Sequence, residues 1–173
     1  MRAVLDACVL YPTVLREILL GVAARGDFAP VWSERILGEW ARAAERTGVG
    51  AQGRVEIAGV EAAFPAGKVS TPPRDDLHLP DPDDVHVLAT ALEAGAQAII
   101  TLNLKDFPAR ALGPHGVYAT APDVFLLACH EEAPVNDIVE AARAKAERLS
   151  GEEVALRPLL KRARLPRLGK ALA

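Results

Sequence analysis

Residues 81–101 read DPDDVHVLATALEAGAQAIIT, and the way this stretch divides decides the fold. Its end, QAIIT at 97–101, is short, β-branched and bounded by polar residues, as a buried strand is. Its beginning is an alanine-rich apolar run opened by DPDD, helical to about Glu93 and stopped at Gly95. A helix that feeds straight into a strand is half of a βαβ unit, and the same alternation recurs along the chain. Ala3 to Leu5 reads as the first strand and Thr13 to Arg25 as a helix that Gly26 ends. FAPVW at 28–32 reads as a second strand, followed by a helix that Ser33 caps, with Ile36, Trp40 and Ala43 on its stripe and Gly48 as its stop. A further helix is expected near residues 54–64, and a Pro-, Gly- and Asp-rich surface connection over 65–82. VYA at 117–119 reads as the last strand, and Thr120 with Asp123 as a capping box for a helix through Cys129. The fold class expected is therefore α/β, a three-layer α/β/α arrangement around a central parallel sheet. It occupies residues 1–130. Residues 131–173 form a C-terminal helical extension, with Val135, Ile138, Val139, Ala142, Ala146 and Leu149 on one stripe and Ser150 with Glu153 opening another short helix.

The 173 residues suffice for one core. Cys8 and Cys129 lie far apart without zinc-ligand spacing, so both are expected as free thiols. The N-terminal apolar run is broken by Asp6 and no later run reaches spanning length, which makes a cytoplasmic protein the expectation. With a net charge of −3, a polyanion would have to be met by a local basic patch. The stretch LKRARLPRLGKALA carries Lys161, Arg162, Arg164, Arg167 and Lys170 without an acid, and a solvated basic face is its simplest reading.

In an open parallel sheet ligands bind at the carboxyl ends of the strands, where the following helices begin. Asp6 follows the first strand, and Asp106 follows QAIIT within TLNLKDFP. Asp84 opens the helix that feeds QAIIT, so it starts at the same edge. Glu39 lies about 9 Å down its helix at 1.5 Å per residue, within reach because helical side chains lean toward the N-terminus. A helical wheel with Val85, Leu88 and Leu92 buried separates the three aspartates of DPDD: Asp81 is the cap before Pro82, Asp83 faces solvent beside Glu93 and His86, and Asp84 turns inward. Several carboxylates in one cleft raise one another's pKa unless a cation neutralises them. An oxygen-only set without a His or Cys cluster suits Mg²⁺ or Mn²⁺, which can activate water and neutralise charge on a phosphodiester.

LDACVLYP, Glu39 within SERILGEW, DPDDVHVLATALEAGAQAII and TLNLKDFP, in that order, resemble the four acidic motifs of PIN domains, the nuclease fold of VapC toxins of type II toxin–antitoxin pairs. The tail ending RARLPRLGKALA resembles the C-terminal extension of one branch of those toxins. The resemblance implies a PIN-like fold and a Mg²⁺- or Mn²⁺-dependent ribonuclease. It implies Asp6, Glu39, Asp84 and Asp106 as catalytic acids, Asp6, Asp84 and Asp106 as metal ligands, and Asn103 as a polar neighbour. An RNA substrate, a cognate antitoxin and a homodimeric state are the expected partners. Asp81 and Thr101 join the site as secondary residues, Thr101 by orienting an acid. The sequence departs from the family where Cys8 stands at a position usually Asn or Thr.

His78, His86, His115 and His130 are scattered and read as neither bases nor ligands, and Trp32 and Trp40 read as core. An aspartyl phosphotransferase would also place Asp after the first strand, but DACVLYP lacks the DxD spacing of that chemistry. A catalytically inactive PIN-like module binding RNA or a protein partner is the better rival; its support is Cys8.

Overall fold

A computed structural model describes residues 1–172; Ala173, the last residue of the expected extension, lies outside the described residues. Five strands, β1 (Arg2–Leu5), β2 (Ala29–Ser33), β3 (Lys68–Val69), β4 (Ala98–Ile100) and β5 (Tyr118–Thr120), form one parallel sheet in the order β3-β2-β1-β4-β5. Four of them lie where the apolar runs predicted. The addition is β3, inside the segment expected to be a plain connection. It pairs only Lys68 and Val69 with Trp32 and Ser33, too short a run to show a period of two.

The helices are α1 (Ala7–Leu10), α2 (Thr13–Arg25), α3 (Glu34–Arg46), α4 (Gly50–Ala63), α5 (Val85–Ala94), α6 (Ala109–Leu112), α7 (Pro122–Glu132), α8 (Asn136–Ser150), α9 (Leu156–Arg162) and α10 (Pro166–Ala171). The chain steps from β1 to β2 to β3 in one direction, then α5 carries it back past β1 to β4. Right-handed crossovers therefore put α2 and α5 on opposite faces of the sheet, giving three layers. The reversal also opens a crevice between the carboxyl ends of β1 and β4, where ligands bind in sheets of this kind. Both strands are buried from Ala3 to Leu5 and from Ala98 to Ile100, so the crevice has a rigid floor.

Local signals set most boundaries. Ser33 Oγ accepts the Ile36 N–H at 3.3 Å and caps α3. Asp81 accepts the Asp83 N–H at 2.9 Å, and Gly95, with φ 60°, ends α5 in the left-handed conformation. Trp32 and Trp40 are core residues, as expected. The wheel for α5, however, covers only part of its burial. Val85 and Leu92 are half-buried, whereas Val87 and Ala91 are fully covered. The segment before α5 folds back over it, burying Leu77 and bringing Thr71 Oγ1 within 3.2 Å of Thr90 Oγ1. Pro82–Asp84 forms a 3-10 turn, so the regular helix begins only at Val85.

The C-terminal segment differs from expectation at two points. Ser150 does not open a helix: it ends α8, where Gly151 turns left-handed at φ 73°, and the next helix starts at Leu156. Leu149, assigned to the buried stripe, is 63% exposed because α8 runs past the body it packs on through Val135, Val139 and Ala142. Asp123 is not the second half of a capping box. It is buried, and its two oxygens accept the Arg167 and Leu168 N–H groups at 3.0 Å each, capping α10 instead of α7. No helix among the described residues is long and apolar enough to cross a membrane.

Candidate active site

Asp6 ends β1 and opens α1, its N–H bonded to Ile100 O at 3.2 Å and its carbonyl accepting from Val9 and Leu10. Its carboxylate is buried. Oδ2 accepts from Thr101 Oγ1 at 2.7 Å and from Cys8 Sγ at 3.3 Å. Thr101 is wholly buried and also accepts the Asn103 N–H at 3.0 Å, so one hydroxyl orients Asp6 and sets the turn after β4. Cys8 completes the arrangement by accepting the Leu102 N–H at 3.3 Å. Burial, with the Asp6 charge beside it, pushes the thiol up to about 12, so it stays a neutral donor. Sulfur thus shares with Thr101 the hydrogen bonding of the first loop.

Asp84 marks where the acids meet. Its carboxyl is raised from the ordinary 3.8 to about 6, chiefly by burial and then by the charges of Asp6, Asp81, Asp106 and Glu39. The four acids expected in the site therefore share one field at Asp84, and Asp81 joins them although it is exposed and serves as the cap. Asp106 closes a 3-10 turn, Leu104–Asp106, its N–H bonded to Asn103 O at 3.0 Å. Asn103 is exposed and its side chain makes no capping bond. Asp83 is 93% exposed, away from the crevice, as the wheel placed it.

His86 is the residue that sequence reasoning missed. It was assigned to the outer face with Asp83, but its side chain is only 9% exposed and Nε2 lies 2.8 Å from Glu39 Oε1. The contact is out of line with the ring N–H, and neither ring nitrogen has a hydrogen-bond partner among the described residues. The signal was absent from the wheel because the Glu39 side chain reaches His86 from α3, a distant part of the chain. Arg35 approaches the same carboxylate, Nε to Oε1 at 3.6 Å, while its Nη2 donates to Asp83 O at 3.1 Å. Glu39 is therefore held between a cation and an imidazole.

The donor set is oxygen-rich and its charges are uncompensated at Asp84, which suits a hard divalent cation. As they stand, no three Asp, Glu, His or Cys side chains among the described residues close around a single point tightly enough to hold a metal ion.

The PIN domain model matches residues 2–105, from β1 through the turn that follows β4. The chain belongs to the PIN domain family. The matched PIN region ends one residue before Asp106 and includes the other three acids. A Mycobacterium tuberculosis protein whose name, ribonuclease VapC50, is itself a provisional assignment is 52% identical over 44 residues, 25% of this chain and 26% of that one. The similarity thus spans about a quarter of that relative's length. No solved structure matches the chain significantly.

Proposed function

We propose that this PIN protein is a divalent-metal-dependent endoribonuclease, the toxin of a toxin–antitoxin pair acting in the cytoplasm. The observation that carries the reading is the raised Asp84 carboxyl, surrounded by Asp6, Glu39, Asp81 and Asp106 at the switch point of the sheet. Asp6, Asp84 and Asp106 would hold Mg²⁺ or Mn²⁺. When bound, the cation supplies Lewis acidity and neutralises charge developing on the phosphodiester. Thr101 and Cys8 fix the Asp6 carboxylate, so it presents a set direction to its ligand. Asp84 and Asp106 would complete the oxygen set around the ion. Glu39, the acid with a basic partner on each side, orients the attacking water and takes its proton. Asn103 stands at the exposed rim, where a phosphate or ribose hydroxyl can meet its amide.

In this scheme the nucleophile is water, so cleavage leaves a 5′-phosphate and a 3′-hydroxyl. Full-length protein with Mn²⁺ and a generic single-stranded RNA should give those ends, lose activity in excess EDTA, and lose at least about 100-fold in rate on Asp6→Asn with the fold retained. Cyclic phosphate ends, or cleavage unaffected by EDTA, overturn it. The ribonuclease name of the Mycobacterium tuberculosis relative supports an RNA substrate. A cognate antitoxin and a homodimer remain expectations of the same reading.

A further inference from the structure

The charge of this chain is divided unevenly. All six Lys and Arg residues after residue 153 share that segment with no acid, while the other fourteen share the preceding residues with all twenty-three acids. Arg157, Lys161, Arg162, Arg164, Arg167 and Lys170 are all exposed, and none forms an ion pair among the described residues. Elsewhere Arg16, Arg25, Arg35, Arg54, Lys68, Arg74, Arg143 and Lys145 are each engaged by a carboxylate. Six unneutralised cations on one short segment are a fixed field, and opposite charge from elsewhere in the chain does not cancel it.

That segment is docked at a defined place. Leu159, Leu160, Leu165 and Leu168 are buried, and Asp123 in the first turn of α7 holds the start of α10 through two backbone N–H groups. The first turn of α7 lies just past the carboxyl end of β5. Thr101, which orients Asp6, donates its own N–H to Thr120 O at the end of β5, at 3.1 Å. The cationic segment is therefore anchored to the same sheet edge as the acids, one strand beyond β4. Between them in sheet order lies the 102–106 turn, with Leu102 and Leu104 exposed and able to meet apolar base faces. Arg164, which joins α9 to α10, is the only non-glycine among the described residues at positive φ, 63°. The Arg164 and Leu165 N–H groups bond back to Lys161 O at 3.2 Å and Leu160 O at 2.8 Å, so this left-handed residue is the helix-ending turn that sets α10 against α9.

We infer that the exposed face of α9 and α10 is a phosphate-binding platform that holds the backbone of a single RNA strand whose scissile bond reaches the acidic crevice. This rests on the nuclease reading for the identity of the strand. A body carrying all twenty-three acids repels a polyanion, and the platform is the surface that offsets the repulsion beside the site. No Trp, Tyr or Phe occurs between residues 154 and 173, so the platform supplies charge without a stacking ladder. Binding there should tolerate any base sequence and depend strongly on salt.

The test uses the full chain in EDTA, which keeps the strand intact, with a labelled 20-nucleotide oligouridylate read by anisotropy across a salt series. A variant with Arg157, Arg162, Arg167 and Lys170 changed to Gln should bind about tenfold or more weakly at moderate salt. Its log–log salt slope should flatten by roughly 0.7 per lost phosphate contact. A companion with the three arginines changed to Lys keeps the charge and should keep the slope, which controls for misfolding. An unchanged slope in the Gln variant, loss of binding in the Lys variant, or displacement of the oligonucleotide by polyglutamate at equal charge concentration overturns the platform; the last points to an acidic protein partner. Cleavage of RNA by the wild-type chain with Mn²⁺ is scored separately. A flattened slope without cleavage leaves the platform standing and removes the nuclease reading, and cleavage with an unchanged slope does the reverse.

Discussion

The acidic crevice and the cationic face share one edge of the sheet but are assembled in opposite ways. The crevice draws Asp6, Glu39, Asp84 and Asp106 from four separated segments, and burial together with the charges of the other acids raises the Asp84 carboxyl. The cations of the α9–α10 face come from a single stretch of fewer than twenty residues, and none is paired among the described residues. Carboxylates forced together need something to oppose them: a cation, a His86 beside Glu39, or a Thr101 beside Asp6. Cations spread along a solvated surface need only an anchor, which Asp123 supplies from beneath. A convergent site is thus sensitive to every supporting contact, and a spread surface to few of them.

His86 is the first place to break that comparison. If it steadies Glu39, His86→Phe should lower the rate of RNA cleavage by about 10–100-fold with little change in KM, and His86→Gln, which keeps a polar end, should recover part of it. A fall in both variants matched by a fall in melting temperature would make the residue a packing element only.

Asp123 probes the anchor. Replacing it by Asn leaves one acceptor oxygen for two N–H groups, one of them buried and one half-buried, and should cost on the order of 1–3 kcal/mol in urea unfolding. Cleavage of a dinucleotide too short to reach the platform should survive, while binding of a long strand should weaken as α10 loosens. Equal loss on both substrates would mean that the two regions are one unit.

The smallest effect expected is electrostatic. The Asp84 carboxyl is raised from 3.8 to about 6, so the folded state holds the proton more tightly than the unfolded chain. Its destabilising charge is absent below about pH 4 and fully present above about pH 6. Without divalent cations, Asp84→Asn should raise the melting temperature slightly at pH 7, and the gain should vanish as pH falls to 4; partial exposure keeps it small. Mg²⁺ or Mn²⁺ should stabilise the wild type, and should do so much less for Asp84→Asn than for Asp83→Asn. Equal responses in the two variants would separate the inward acid from any metal.

Much of this arrangement was legible along the chain because it is local. The β-branched run at 97–101, the Asp81-Pro82 start and the Gly95 stop depend on backbone preferences that neighbouring residues set. The separation of Asp83 from Asp84 was also visible, since it needs only the angle between adjacent residues. The two-residue β3 was not, because a strand that short exists only through its partner β2.

The sequence by itself determined the α/β alternation, the parallel sheet and the order in which acids arrive at one edge, because periodicity and strand ends are properties of contiguous residues. Only the tertiary structure decided which side chains close on which. His86, assigned to the outer face of α5, meets Glu39 because that side chain reaches it from α3, and Asp123 left its own helix for α10 because two unsatisfied N–H groups were brought to it across 44 and 45 residues of chain. Contacts of that kind depend on what packs alongside, and no spacing within a single segment encodes it.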